Sequence, residues 1–165
     1  PFHAGSFDAV VSNLAVQWCT DLASPLRQIH RVLQPGGRAF LTTVLADSMQ
    51  PLMTTWQDLD GQHHGNRFYS LAAGQDICAA LVAELPDLDI EMTAQRFEYG
   101  YKSVHAMLKA LKGIGANYRI EQQGPGLTLH KLKQLEQRMK TFQNAAGMLP
   151  MGWEIGFITL TKLQR

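Results

Sequence analysis

The stretch FDAVVSNLAVQWCTDLASPLRQIHRVLQPGGRAFLTTVL, residues 7–45, decides the fold class of this chain. It begins with the almost uncharged run Phe7–Leu14, which is typical of a strand buried on both faces, as in a parallel sheet. Apolar residues then recur at helical spacing over 22–33, and the PGG tripeptide at 35–37 predicts the end of that helix and a turn. Ala39–Leu45 predicts a second buried strand. Strand, helix and strand form a βαβ unit, so the sequence predicts an α/β fold.

Beyond residue 45 the sequence predicts a mixture of helices and strands. Four helices are predicted, beginning at Pro51, near Ile77, at Ser103 and at Thr128. A strand begins at Leu88, and its apolar positions change phase near Gln95, where a β-bulge would explain the change. The run Trp153–Leu163 predicts a closing strand. We therefore predict that residues 103–143 form a helical insertion before the last strand of one α/β domain.

Composition limits the classes of function. The chain has 165 residues, 45% of them hydrophobic, which is enough for one domain with a core and excludes global disorder. The net charge of +1 argues against nonspecific nucleic-acid binding, and no apolar run reaches the ~20 residues of a membrane span. The two cysteines, Cys19 and Cys78, provide neither a disulfide framework nor a four-cysteine zinc site. We expect a cytoplasmic protein that binds neither nucleic acid nor membranes.

Charge is unevenly distributed along the chain. Residues 1–95 hold four basic and ten acidic residues, whereas residues 96–140 hold nine basic and three acidic residues. We call residues 96–140 the basic block. Such a block either attracts an acidic partner to one face of the protein or forms an ordinary solvated helix surface, and composition alone leaves both interpretations open.

No motif for metal or nucleophilic chemistry stands out. The histidines lack the i, i+4 spacing of a helical zinc pair, and Cys19 has no identifiable histidine partner. Ligands of open parallel sheets bind beyond the carboxyl ends of the strands. Ser12, Asn13 and Leu14 lie at such an end, where they form either a ligand site or a turn that ends the strand.

Several segments resemble the class I S-adenosylmethionine-dependent methyltransferases. Pro1-Phe2 with SFDAVVSN at 6–13 is similar to the family's stretch that leads into the fourth strand, and LRQIHRVLQPGG at 26–37 is similar to the helix and turn before the fifth. A narrower resemblance is to the malonyl-acyl-carrier-protein O-methyltransferases of biotin biosynthesis. The segments that carry it, besides the closing strand, are SNLAVQWC at 12–19, Asn66-Arg67-Phe68 and LKGIGA at 111–116.

The resemblance implies a partial Rossmann-like sheet, strands four to seven of the family, with a helical lid formed by residues 103–143. Residues 1–165 are then the C-terminal part of a single methyltransferase domain. The family's glycine-rich loop and acidic cofactor-binding residues belong upstream, so we expect this chain alone to be inactive. The strand around Val10–Leu14 would expose an apolar edge, and we expect the isolated chain to be unstable or to self-associate.

The cofactor implied by the resemblance is S-adenosyl-L-methionine. Ser12, Asn13 and Leu14 are expected to bind it, with Asn13 and Leu14 approaching its methionine part. Trp18 is expected to pack near the cofactor or near the acyl entrance, and ordinary core packing is the alternative. Because the cofactor cleft of the family lies between its first and fourth strands, this chain would supply one wall of it.

The reaction implied is methyl transfer to the free carboxylate of a malonyl thioester on acyl carrier protein. A carboxylate with a pKa near ~4 is already ionised at neutral pH, so no general base is needed and we predict no catalytic residue. A cation is needed to orient it, and Arg67 is the first candidate, with Lys109 and Lys112 the second. Acyl carrier proteins are acidic, which suits the basic block.

Three alternatives remain open at this point. Another small-molecule methyltransferase, such as one acting on a quinone precursor, would share the fold but would have less use for a basic lid. A non-catalytic remnant would bind no cofactor. A nucleic-acid methyltransferase is disfavoured because the Asn/Asp-Pro-Pro-Tyr/Phe motif of base methylation is missing.

Overall fold

A computed structural model describes residues 2–61, 68–113 and 128–164. Two single turns of 3-10 helix are present at Val16–Trp18 and Lys140–Phe142. The helices and strands are β1 (Phe7–Ser12), α1 (Ala23–Val32), β2 (Leu33–Val44), α2 (Leu52–Asp60), α3 (Leu71–Glu84), β3 (Leu88–Tyr101), α4 (Val104–Gly113), α5 (Leu129–Met139) and β4 (Leu149–Lys162). Within the described ranges, no helix is long and apolar enough to cross a membrane.

The strands form one sheet in the order β1-β2-β4-β3. β1 and β2 are parallel and are joined through α1, which confirms the predicted βαβ unit. β4 is antiparallel to β2 and lies between β2 and β3. Val11 is opposite Phe40, and Phe40 is opposite Thr159, so these three residues cross the sheet in one row.

The prediction that the first strand is buried on both faces is wrong. Among the described strands β1 lies at one end of the sheet and pairs with β2. The side chain of Val11 is 76% exposed, whereas Val10 packs against the core. The strand also ends at Ser12 rather than at Leu14. An apolar sequence therefore indicated a strand correctly, but it did not reveal how many neighbours cover that strand.

The turn predicted at 35–37 is part of β2, which begins at Leu33 rather than at Ala39. The register with β1 shifts between Phe7 and Ala9, so the tripeptide is an irregularity within the ladder. Gly36 has a φ of +82°, a left-handed conformation that glycine adopts without strain. These two features let the helix end and the strand begin without a separate loop.

The phase change in β3 is confirmed. Leu88 and Met92 are buried, the neighbouring residues Gln95 and Arg96 are both exposed, and Phe97 is half-buried. The bulge itself stays a prediction. β4 begins at Leu149, four residues before the predicted start, because its first residues pack in the interior of the protein.

Hydrogen bonds to side chains lie at the starts of several helices, and those at Ser103 and Thr128 confirm the helix starts predicted there. Asp21 Oδ1 accepts from the Ser24 amide at 2.7 Å, Ser103 Oγ from the Ala106 amide at 3.1 Å and Thr128 Oγ1 from the Lys131 amide at 3.2 Å. Each satisfies one of the amides that a helix leaves unpaired at its first turn. α3 is longer than predicted because Ser70 caps it, well before Ile77.

The chain divides into two compact units, each described by itself. Unit 1 comprises the described residues of Pro1–Ser48, Asn66–Phe97 and Glu154–Arg165, and unit 2 those of Met49–Gly65 and Glu98–Trp153. The core of unit 1 packs α1 and α3 against one face of the sheet, with Leu26, Leu33, Leu41, Leu81, Ile158 and Leu160 fully buried. In unit 2 the buried side chains include Leu52, Met107, Leu135, Met139 and Met151. The helical insertion predicted over 103–143 lies within unit 2, and its role as a lid stays a prediction.

Candidate functional site

The carboxyl end of β1 is fixed to β2 by Asn13, Leu14 and Thr42. The Thr42 hydroxyl donates to Asn13 Oδ1 at 2.6 Å and accepts from the Leu14 amide at 3.0 Å. The same amide lies 3.2 Å from the Thr42 carbonyl oxygen. The side chain of Asn13 is therefore held by the neighbouring strand, at the edge where ligands of parallel sheets bind.

Leu14 turns the chain sharply from β1 toward the short 3-10 helix at Val16–Trp18. Its φ of +49° lies in the left-handed region, which is uncommon for a residue with a side chain. The Gln17 side-chain amide donates to the Leu14 carbonyl and closes the turn. Within the part of the chain that the structure describes, the buried Oε1 atom of Gln17 has no hydrogen-bond partner. A buried acceptor of this kind is usually satisfied, so the turn has capacity for one more donor.

Ser12 ends β1, Asn13 and Leu14 follow it, and Trp18 ends the 3-10 helix that comes next. Val16 is buried and anchors the turn in the core, while Leu14 is 39% and Trp18 is 56% exposed. A core aromatic residue would be far less exposed, so Trp18 is placed where a ligand can reach it. The role of these four residues as cofactor contacts stays a prediction.

A polar cluster that the sequence analysis missed lies beyond the carboxyl end of β2. The buried Ser48 hydroxyl donates to the Glu154 carbonyl at 3.0 Å and accepts from the Glu154 amide at 2.9 Å. The pKa of Glu154 is raised, first by burial and then by the charge of Asp47 and a hydrogen bond with it, while Arg96 opposes the shift. Asp47 follows the parallel strand β2, so its position in the sequence could have marked it as a candidate site residue. Glu154 comes from antiparallel β4, and its register has no signal in the sequence.

The structure describes two of the three predicted substrate-binding residues. Arg67 lies outside the described residues. Lys109 and Lys112 are exposed near the end of α4, in unit 2. They flank Ala110 and Leu111 in sequence, and those two residues line a cavity of about 140 Å³. The described ranges hold no group of three His, Cys, Asp or Glu side chains that could bind a metal ion.

A larger, open groove of about 470 Å³ lies in unit 1 between α3 and β3. It is lined mainly by apolar side chains, among them Leu71, Cys78, Val82 and Ile90. Burial raises the pKa of the Cys78 thiol, so this cysteine is a poor nucleophile. The groove therefore offers shape but no reactive group.

Residues 1–41 match the family model described as a methyltransferase domain. A malonyl-[acyl-carrier protein] O-methyltransferase of Erwinia billingiae is 39% identical over 138 residues, which are 83% of this chain and 52% of the relative. The same enzyme name belongs to a Yersinia pestis relative that is 32% identical over 95% of this chain and 54% of its own length. The biotin biosynthesis bifunctional protein BioHC of Saccharophagus degradans is 33% identical over 99% of this chain and 30% of its own length. The chain thus spans about half the length of the curated methyltransferases that it matches.

Solved structures agree on the fold. BH2331 of Bacillus halodurans, a suggested methyltransferase, has a TM-score of 0.55 at 14% identity and covers 99% of this chain and 73% of its own. The YcgJ protein of Bacillus subtilis has a TM-score of 0.56 at 18% identity over all of this chain and 68% of its own. At such identities the likeness shows the fold alone. The family model and the relatives confirm the resemblance found in the sequence: the chain is similar to the class I S-adenosylmethionine-dependent methyltransferases.

Proposed function

We propose that this chain is part of an enzyme that methylates the free carboxylate of a malonyl thioester on acyl carrier protein, in biotin synthesis. The observation that carries the proposal is the 39% identity, over 83% of the chain, to a relative with that enzyme name. The name of the bifunctional relative BioHC supports the assignment to biotin synthesis.

The turn after β1 has the features expected of a contact for S-adenosyl-L-methionine. The orphaned Gln17 Oε1 fits a ligand that carries an N–H donor, as the amino group of this cofactor does. Asn13, Leu14 and Trp18 would hold the cofactor from one side. The bound cofactor would supply an electrophilic methyl group on a sulfonium.

The acceptor carboxylate would need orientation rather than activation. It is ionised at neutral pH, so the protein has no proton to remove and its contribution is to place the oxygen in line with the methyl group. A cation suits that purpose, and Arg67, Lys109 and Lys112 are the candidates. Too close a contact with both oxygens would reduce their nucleophilicity, so one oxygen should stay free.

The basic block suits an acidic carrier protein. In and directly after α5 the exposed cations are Lys133, Arg138 and Lys140, and Lys131 is half-buried on the same helix. Opposite charges speed the encounter of two proteins and favour one orientation. This gives the basic block a partner that a quinone-precursor methyltransferase would not need.

Methyl transfer by a chimaera tests the proposal. The part of the Erwinia billingiae relative that this chain does not span is joined to the chain, and transfer of labelled methyl from S-adenosyl-L-methionine is measured. We expect labelling of malonyl-acyl carrier protein, and none of its methyl ester, whose carboxylate is blocked. Calorimetry should show clear binding of S-adenosylhomocysteine to the chimaera and weak or no binding to the chain alone. Labelling of a quinone precursor instead of the malonyl thioester would overturn the proposal.

Charge reversal in the same chimaera tests the carrier surface. Changing Lys131, Lys133, Arg138 and Lys140 to glutamate should weaken binding of the carrier protein by about tenfold or more at low salt, and less as salt rises. Arg38→Glu, on β2 and outside the basic block, is the control. Binding that stays the same across the salt series would remove the basic block from the proposal.

A further inference from the structure

The groove between α3 and β3 in unit 1 follows one edge of β3. It is lined by every residue from Ile90 to Ala94, whereas a groove over one face of a strand is lined by alternate residues. Among the described strands β3 is the last of the sheet, with β4 on its other edge. We call the edge of β3 that faces away from β4 the outer edge. Across the groove, one side of α3 contributes Leu71, Gln75, Cys78, Ala79 and Val82.

Two hydrogen bonds indicate which backbone groups of β3 face the groove. The amide of Leu163, directly after β4, donates to the Asp87 carbonyl at 2.7 Å, so the backbone of Asp87 points toward β4. The Gln75 side-chain amide donates to the Met92 carbonyl at 3.0 Å from the helix side of the groove. Backbone groups of successive strand residues point to opposite edges. Met92 and its alternate neighbours in β3 therefore direct their backbone groups to the outer edge, where Gln75 already bonds one carbonyl as an added strand would.

The two faces of β3 differ at this edge. Ile90 and Ala94 are half-buried and pack against the core on the side of α3, where Val82 is 42% exposed. Glu91 and Thr93 are exposed on the other face. A strand added at the outer edge would continue both faces of the sheet. Every second side chain of that strand would enter the apolar groove, and the side chains between them would lie beside Glu91.

The surroundings of the groove are acidic. Residues 71–95 hold five acidic residues and no lysine, arginine or histidine. Glu84 forms an ion pair with Arg27, and Asp87 lies 3.2 Å from the buried His30. The other three acidic residues are exposed, namely Asp76, Asp89 and Glu91. This negative charge attracts a basic segment and opposes both an acidic carrier protein and the same edge of a second copy.

We propose that the outer edge of β3 accepts an extended segment of another protein as an added strand, with apolar side chains in the groove and basic side chains beside Glu91. Backbone hydrogen bonds to β3 would hold the segment, and its alternation would select it. The residues from Ile90 to Ala94 extend over roughly 16 Å at ~3.3 Å each, so a segment of similar length fits. β1 and β3 are at opposite ends of the described sheet, and this docking site does not depend on the proposed function.

Titration of short peptides with the chain tests the proposal. A fluorescent peptide that alternates valine and lysine is compared, by fluorescence anisotropy, with one that alternates valine and glutamate. A third peptide has the composition of the first in two separate blocks, so the alternation is lost. We expect the alternating lysine peptide to bind about tenfold more tightly than either control. Equal binding of the three peptides would overturn the proposal.

Methylation of peptide amides distinguishes strand addition from adhesion by charge alone. In an added strand, one alternate set of amides pairs with β3 and the other set points away from it. Methylating the first set should therefore abolish binding of the alternating lysine peptide, and methylating the second set should leave it. Binding that survives methylation of either set would contradict an added strand.

Two variants locate the binding. Ala79→Leu narrows the groove and should weaken binding of the alternating lysine peptide by about tenfold, while Ala80→Leu, exposed on α3 outside the groove, should not. Glu91→Lys should reverse the preference for lysine over glutamate, while Asp8→Lys on β1 should keep it. Circular dichroism verifies the fold of each variant, and the Glu91 pair is decisive if Ala79→Leu does not fold. Binding that ignores the groove and charge variants would overturn the proposal.

A second copy of the chain is the competing occupant of the groove. Analytical ultracentrifugation of the wild type, Ala79→Leu and Ala80→Leu identifies it. If no peptide binds, and Ala79→Leu alone lowers the mass of the chain, the groove is an interface between copies and the proposal is overturned. If the peptide binds and the three masses agree, the groove is a site for a different protein.

Discussion

The two faces of the sheet in unit 1 differ although they alternate along the same strands. On β2, Ala39 and Leu41 are buried against α1 and α3, whereas Phe40 between them is 50% exposed. On β1, Val11 belongs to the same open face as Phe40 and is opposite it in the ladder. Apolar residues therefore occupy both faces, but helices cover one of them. Hydrophobic sequence indicates burial only where a covering layer exists.

The difference has energetic consequences. Each Å² of apolar surface removed from water contributes roughly 25 cal/mol, and only the covered face gains this in the described part of the chain. Among the described residues, the open face presents apolar side chains and β1 pairs with a strand on one side only, which favours association with another chain. Substitutions on the covered face, at the open edge of β1 and beyond the carboxyl end of β2 should therefore differ in their effects.

The largest effect is expected from shortening a covered side chain. Leu41→Ala should lower the free energy of unfolding by about 2–5 kcal/mol, because it leaves a cavity among fully buried neighbours. The adjacent change Phe40→Ala, on the open face, should cost under about 1 kcal/mol. Urea unfolding followed by circular dichroism measures both. Equal losses at the two positions would show that the open face is covered in solution.

A charge on the open edge should act on association rather than on folding. Val11→Lys should raise the dissociation constant for self-association by about tenfold, because an ammonium group on an edge strand opposes pairing. Val11→Ile keeps the edge apolar and is the matched control. Analytical ultracentrifugation in dilute buffer gives the mass of each variant. A wild-type chain that is monomeric and melts sharply would contradict the expected association.

The smallest effect is expected at Glu154, a residue of β4 that lies beyond the carboxyl end of β2. Its pKa in the fold is raised above the ordinary 4.5, mainly by burial and then by Asp47. The protonated form is thus favoured in the fold, so stability from this group is present at low pH and is lost as pH rises through the raised pKa. Glu154→Gln should therefore be more stable than the wild type at pH 7, by less than the Leu41 effect.

The advantage of Glu154→Gln should shrink as pH falls through the raised pKa of Glu154 toward 4.5, where the stability of the protonated form is fully restored. Urea unfolding midpoints of the variant and the wild type, measured between pH 4 and pH 8, give this difference in stability. Glu91→Gln, on the exposed side of β3, is the control. A constant difference across this range would show that the fold does not raise the pKa of Glu154.

The fold was largely predictable from the sequence, and the site only in part. The βαβ unit, the helix starts at Ser103 and Thr128 and the phase change near Gln95 follow from local spacing, because each pattern extends over only a few residues. The cluster of Asp47 with Glu154 does not, because it depends on the antiparallel register of β4, more than a hundred residues away in the chain. The hydrogen bond from Gln17 to Leu14 also depends on a backbone conformation that sequence patterns do not indicate for leucine.

By itself the sequence determined which segments become strands and helices and which known family they resemble. It did so because periodicity and short motifs are local properties. The tertiary structure alone decided that β4 lies between β2 and β3, that Val11 and Phe40 stay exposed, and that Tyr99, Tyr101 and Trp153 meet around one cavity. These outcomes depend on which distant segments become neighbours, and that choice is made by the packing of the whole chain.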